Sequence, residues 1–262
     1  MSSSENITTA TLRQLKSVRP IAVLTAYDFI TAGLADQAGA DLILVGDSLT
    51  MTALGHPTTL PATVDIMLHH TAAVARAHPR ALVVADIPFA EAHQGISHIV
   101  KVGAQFLRAG ASAIKIEGGQ NMTEEIRALV SAGIPVLGHI GLLPQQIMNL
   151  GRYRKFGVSQ EEKESILADG LAVQQAGAFA VVVEMVHPQT TAELTAQLAI
   201  PTIGIGSGPS CDGQVLVITD ILGLTPTPPP SFAPVRIQGR ELFTEALRGF
   251  VQDVQQKRFP KL

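Results

Sequence analysis

Five apolar runs along this chain each stop on a polar residue suited to chemistry. Residues 42–45 lead through Gly46 into Asp47 and Ser48, 82–85 lead into Asp86, and 180–183 lead into Glu184. Residues 113–117 carry Lys115 and end on Glu117, and 135–138 give way to His139. Apolar runs of this length, rich in β-branched residues and bounded by Gly or Pro, read as buried parallel strands. The same reading along the whole chain predicts strands at 21–25, 41–45, 81–85, 112–116, 134–137, 179–183, 200–205 and 214–219. Helical spacing fills the intervals: 8–17 capped by Thr8 or Thr9, 28–38, 61–77 with Pro61 as its first residue, 96–109, 123–132, 160–176 and 191–198. Stretches 46–59 and 141–158 show no period and read as loops. About eight β/α units are the number that closes a (β/α)8 TIM barrel, an α/β fold whose strand C-termini share one chemically active face.

The tail has a different character. Pro226, Pro228, Pro229 and Pro230 make a stiff connector. Residues 241–255 are amphipathic, with Leu242, Ala246, Phe250 and Val254 on one side. The expected organisation is one domain over 1–262, with the barrel at about 8–224 and a connector plus C-terminal helix at 225–262. That helix is expected to cover part of the barrel or of a neighbouring subunit. A length of 262 residues suits this fold, whose members run to ~250.

Composition narrows the function. Hydrophobic residues make up 46% and charged residues only 16%, which points to a large core or sizeable subunit contacts. A net charge of -3 excludes a general nucleic-acid or anionic-membrane binder. Aromatics at 4% without Trp argue against a base-stacking platform. Cys211 is the single cysteine, so no internal disulfide forms. Residues 1–7 lack a basic and apolar leader, and no run approaches the ~20 apolar residues of a membrane span. The expectation is a cytoplasmic protein with neither membrane nor nucleic-acid partners.

Asp47 and Asp86 close neighbouring strands. Two carboxylates at one mouth suit Mg²⁺, a hard ion that prefers oxygen ligands and keeps positions for water or substrate. A loop cap for Asp47 or an Arg partner for Asp86 would explain either residue alone, but not their pairing. Lys115 and Glu117 lie two apart on one strand, so both point the same way. Lys115 suits a substrate carboxylate and Glu117 a metal-bound water, with a plain ion pair as the alternative. His139 follows Gly138, where a kink would expose the ring for hydrogen bonding or proton relay. Glu184 follows four hydrophobic residues, a dry setting that makes a carboxylate a better base. The glycines of 204–208 suit a tight turn better than a phosphate site.

These residues lie in stretches that resemble the ketopantoate hydroxymethyltransferase family: Leu24-Thr-Ala-Tyr-Asp28, Leu44-Val-Gly-Asp-Ser48, Gly55-His-Pro-Thr-Thr-Leu-Pro61, Ala85-Asp-Ile-Pro-Phe89, Ile114-Lys-Ile-Glu-Gly-Gly119, Gly138-His-Ile-Gly-Leu142, Glu184, and Ile200-Pro-Thr-Ile-Gly-Ile-Gly206 with Asp212-Gly-Gln214. The resemblance implies a barrel of the phosphoenolpyruvate/pyruvate type, one Mg²⁺ per subunit and 5,10-methylenetetrahydrofolate as co-substrate. It implies Asp47, Asp86 and Glu117 at the metal, Asp47, Ser48, Asp86 and Lys115 at the 2-oxo acid, and Glu184 and His139 as catalytic residues. It also implies a homo-oligomer, commonly a decamer. The 149–157 loop, residues 207–210 and the proline-rich tail depart from the family pattern.

The implied reaction moves a hydroxymethyl group onto 3-methyl-2-oxobutanoate through a Mg²⁺-stabilised enolate, giving 2-dehydropantoate for pantothenate synthesis. Two other readings stay open at this stage. One is a folate-independent, Mg²⁺-dependent lyase or mutase on the same barrel. The other is a catalytically silent barrel that acts as an assembly subunit.

Overall fold

In the computed structural model, which describes residues 6–260, eight parallel strands close into a barrel in chain order. They are β1 (Ile21–Thr25), β2 (Leu42–Val45), β3 (Leu82–Asp86), β4 (Ala113–Glu117), β5 (Val136–Gly141), β6 (Ala180–Glu184), β7 (Thr202–Ile205) and β8 (Gly213–Leu216). The helices are α1 (Thr9–Gln14), α2 (Phe29–Gln37), α3 (Leu49–Thr52), α4 (Val64–Ala75), α5 (Ile96–Arg108), α6 (Thr123–Ser131), α7 (Ile147–Leu150), α8 (Gln160–Gln175), α9 (Pro188–Gln197), α10 (Ile218–Ile221) and α11 (Gly239–Gln255). Among these helices none is long and apolar enough to cross a membrane. Residues 1–5, which include most of the polar N-terminal stretch, lie outside the described residues.

Strand parity organises the interior. Ile21, Val23, Leu42, Leu44, Leu82, Val84, Ala113, Leu137, Ala180, Val182, Ile203 and Val215 pack as one core cluster. Along each strand these are alternate residues, because successive side chains point to opposite faces. Continuing the same parity toward the strand C-termini reaches Asp86, Lys115, Glu117, His139 and Glu184. The rows that fill the lower barrel with hydrocarbon therefore fill its mouth with charge. Register sets the neighbours at that level: Asp86 pairs with Lys115, Glu117 with His139, and Gly141 with Glu184.

Several expected elements shift for identifiable reasons. Helix α4 begins at Val64 rather than Pro61, because the Thr63 side chain accepts from Ile66 N and caps it there. Strand β5 runs on to Gly141, beyond the expected end at 137. Residues 218 and 219, expected as the end of the last strand, instead begin α10. Helices α3 and α7 lie in stretches expected to be loops; four residues are too few to show a helical period.

The chain divides into two compact units, one through Val215 and one from Leu216 onward. The second is tied internally: Arg236 N donates to Ile221 O, Gly239 N to Leu222 O and Arg240 N to Gly223 O. On α11, Leu242, Phe243, Leu247, Phe250 and Val254 are all exposed. The apolar stripe read from the sequence is thus present on α11.

Candidate active site

Gly46, Asp47 and Ser48 form the turn between β2 and α3. The Asp47 carbonyl accepts from Thr50 N and from Thr50 Oγ1, which locks the turn. A Cβ at position 46 would sit 2.8 Å from Ser48 Oγ and 3.5 Å from Asp86 Oδ2. A side chain at 46 would have to push the Ser48 hydroxyl aside, while the approach to Asp86 is an ordinary contact. Asp47 N then donates to Asp86 Oδ2 at 3.0 Å, joining the two strand ends through a buried hydrogen bond.

Lys115 Nζ lies 2.7 Å from Asp86 Oδ1 and 3.9 Å from Glu117 Oε1. His139 connects the next strands. Its Nδ1 is 3.2 Å from Lys115 Nζ and 3.4 Å from Glu117 Oε1, and its Nε2 is 3.1 Å from Glu184 Oε2. The structure therefore brings Asp47, Asp86, Lys115, Glu117, His139 and Glu184 into one contiguous set. Ser48 sits beside it, with its hydroxyl 2.9 Å from Tyr27 OH, which in turn accepts from Thr25 Oγ1 at 3.0 Å.

Two local expectations change. Gly138 is no kink that exposes His139: the ring is 2% exposed, and the glycine instead makes room for Val173 of α8, which any side chain at 138 would strike. Glu184, expected in dry surroundings, is the most open carboxylate of the set, with 14% of its side chain exposed against 4% for Glu117. The glycines of 204–208 form a turn. Gly206 and Gly208 have positive φ, and Ser207 Oγ donates to Val183 O at 2.7 Å while accepting from Val186 N.

Burial dominates the electrostatics. It raises the proton affinity of Asp47 well above the ordinary carboxylate range, helped by the Asp86 and Glu117 charges. Burial raises Asp86 too, against the pull of Lys115. For Glu117 burial is outweighed by the His139 hydrogen bond and by the His139 and Lys115 charges, so its pKa falls. Burial disfavours the Lys115 cation, yet the carboxylates around it hold its proton above the usual lysine range. His139 is likewise opposed by burial and by Lys115, but Glu117 and Glu184 lift it to about 9. Counted formally, the four carboxyl groups outnumber the two basic groups, Lys115 and His139, and it is this crowding of acids that helps to raise Asp47.

That excess, and the buried Asp86 Oδ1 and Glu117 Oε1 that make no aligned hydrogen bond, suit a divalent cation on oxygen ligands. Asp47 and Asp86 are the residues that fit it. Among the described residues no three His, Cys, Asp or Glu side chains form a cage by themselves. Glu117 Oε2 accepts from Gln145 N at 3.1 Å, while Oε1 faces Lys115 and His139.

Two residues at this mouth escaped the sequence reading. Gln145, in the turn after β5, donates from Nε2 to Asp47 Oδ2 and to Ile87 O, each at 2.9 Å. Tyr153 lies in the 149–157 stretch. It is about half exposed, and burial of the rest together with the charges of Glu184, Asp47 and Glu117 raises its pKa. The only sequence signal for either is position, in a loop that follows a strand C-terminus. Open hollows of about 210 and 270 Å³ lie at the opposite end, lined without any carboxylate, so size alone does not mark the site.

The chain is similar to known proteins. The family model described as ketopantoate hydroxymethyltransferase matches residues 6–262. A protein of Hyperthermus butylicus named 3-methyl-2-oxobutanoate hydroxymethyltransferase is 50% identical over 92% of this chain and 83% of its own length. Proteins of the same name from Synechococcus elongatus and a Cyanothece species are 47% and 49% identical, over 97% of this chain and 95% and 98% of theirs. Among solved structures, a phosphoenolpyruvate phosphomutase from Streptomyces platensis superposes with a TM-score of 0.64 at 17% identity, covering 95% of this chain and 88% of that one. A 2,3-dimethylmalate lyase of the PEP mutase/isocitrate lyase superfamily gives 0.60 at 17% identity, over 100% and 91%. These two share the fold, a closed (β/α)8 barrel. The chain belongs to the ketopantoate hydroxymethyltransferase family.

Proposed function

We propose that this protein transfers a hydroxymethyl group from 5,10-methylenetetrahydrofolate to 3-methyl-2-oxobutanoate, giving 2-dehydropantoate and tetrahydrofolate. The observation that carries the reading is the contiguous set at the strand C-termini, running from Asp47 through Asp86, Lys115 and His139 to Glu184. Buried charges in such number are too unfavourable for a scaffold that does no chemistry.

Asp47 and Asp86 would hold Mg²⁺, with Glu117 beside them. A divalent cation there supplies positive charge for an oxygen on which an electron pair collects. Lys115, inside the mouth and cationic, pairs with the carboxylate of the 2-oxo acid, and Ser48 donates to it. Glu184 takes the C3 proton; the C–H electron pair forms the C2–C3 double bond and the carbonyl pair moves onto the keto oxygen. His139, a cation set against Glu184, orients the base. The enolate carbon then attacks the methylene carbon of the folate as one of that carbon's two bonds to nitrogen breaks, its electron pair staying on the nitrogen. Water oxygen bonds to the same carbon as the second carbon–nitrogen bond breaks. The water's protons and the proton taken from C3 go to the two freed nitrogens and the hydroxyl, completing the hydroxymethyl group and freeing tetrahydrofolate. The exposed apolar stripe of α11 supports work as a homo-oligomer, decameric on family resemblance, which light scattering would measure.

Product analysis tests the reading. Formation of 2-dehydropantoate from 3-methyl-2-oxobutanoate is expected only when both Mg²⁺ and methylenetetrahydrofolate are present. Turnover of a 2-oxo acid without the folate would favour a lyase or mutase instead.

A further inference from the structure

We propose that Gln145 is a positioning residue that presets two acidic side chains for the cation. Both partners of its side-chain nitrogen, the Asp47 carboxylate and the Ile87 carbonyl, are acceptors only. The atom facing them is therefore the amide nitrogen, and its two hydrogens are both used. Its backbone N–H holds Glu117 Oε2. One residue thus ties down one oxygen of Asp47 and one of Glu117. Glu117 Oε1 is left buried, facing only the His139 Nδ1 at 3.4 Å and the Lys115 Nζ at 3.9 Å. Ile87 directly follows Asp86, so the same amide also fixes the end of β3. A donor that serves a metal-bound carboxylate without touching the metal sets ligand geometry, and its loss typically weakens metal affinity or activity by ~10–100-fold.

The inference rests on the reading of Asp47 and Asp86 as the cation's ligands. Gln145→Met keeps the side-chain size and removes both donors. Gln145→Glu keeps the size and turns an acceptor toward two acceptors. The backbone contact to Glu117 survives in both, so the expected loss comes through Asp47. Mg²⁺ is titrated by calorimetry into wild type and into each variant whose circular dichroism matches wild type. Both variants are expected to bind Mg²⁺ roughly 10–100-fold more weakly. The Mg²⁺ concentration for half-maximal rate should rise in step, with kcat largely recovered at saturating Mg²⁺. Equal Mg²⁺ affinity in wild type and in either folded variant overturns this inference alone. A wild type that takes up no Mg²⁺ overturns the functional reading, and the inference falls with it. A rate loss that saturating Mg²⁺ does not recover marks Gln145 as merely structural and also overturns it.

Discussion

The lower and upper halves of the barrel interior are built from the same inward-facing rows and behave in opposite ways. In the lower half Leu42, Leu82, Val84 and Leu137 are buried hydrocarbon whose removal from water stabilises the fold. In the upper half Asp86, Lys115, Glu117 and His139 are buried just as deeply, and their burial is unfavourable except through mutual pairing. One parity of side chains thus carries stability at one end and chemistry at the other. The fold's lower layers offset the strain that its mouth imposes.

Substitutions in each half sharpen that contrast. Leu42 is fully buried. Leu42→Ala should cost about 2–5 kcal/mol of unfolding free energy while leaving turnover per folded molecule unchanged, as urea denaturation and active-site titration would measure. Retained stability would show that the lower layers do not hold the barrel.

At the mouth, His139 makes stability pH-dependent. Its pKa rises from 6.5 to about 9 on folding, so its contribution is fully present below about 6.5 and is lost as pH climbs through about 9. The contribution is on the order of 3 kcal/mol. Denaturation midpoints between pH 6 and 10 should fall in the wild type and much less in His139→Asn.

Asp47 has the opposite sign. Its raised pKa means that its charge destabilises the protein at neutral pH, an effect relieved by protonation as pH falls. Asp47→Asn should therefore raise stability by ~1 kcal/mol and abolish Mg²⁺ binding. A loss of stability in that variant would break the contrast between the halves. Smallest is Tyr27→Phe, which removes the hydroxyl between Thr25 and Ser48. It should cost roughly 1 kcal/mol and raise KM for the 2-oxo acid more than it lowers kcat.

Much of this was legible in the sequence. Apolar runs ending on Asp86, Glu117 and Glu184 place strand ends within a residue or two, because burial and strand parity act locally. Asp47 and Ser48 were found for the same reason, one step past β2. Gln145 was not, because its role depends on a partner 98 residues away in the chain. Helix α7 was missed because one turn of helix has no period. The openness of Glu184 was misjudged because an apolar run reports on the strand beneath a residue, not on the solvent above it.

The central claim is that Glu184, at the open edge of an otherwise buried charged set, removes the C3 proton of the 2-oxo acid. Exchange of that proton with deuterated water, followed by NMR at saturating Mg²⁺ without folate, isolates the step. Glu184→Gln should slow exchange by ~10²–10⁴-fold, the usual worth of a general base. Exchange at the wild-type rate in that variant would contradict the account.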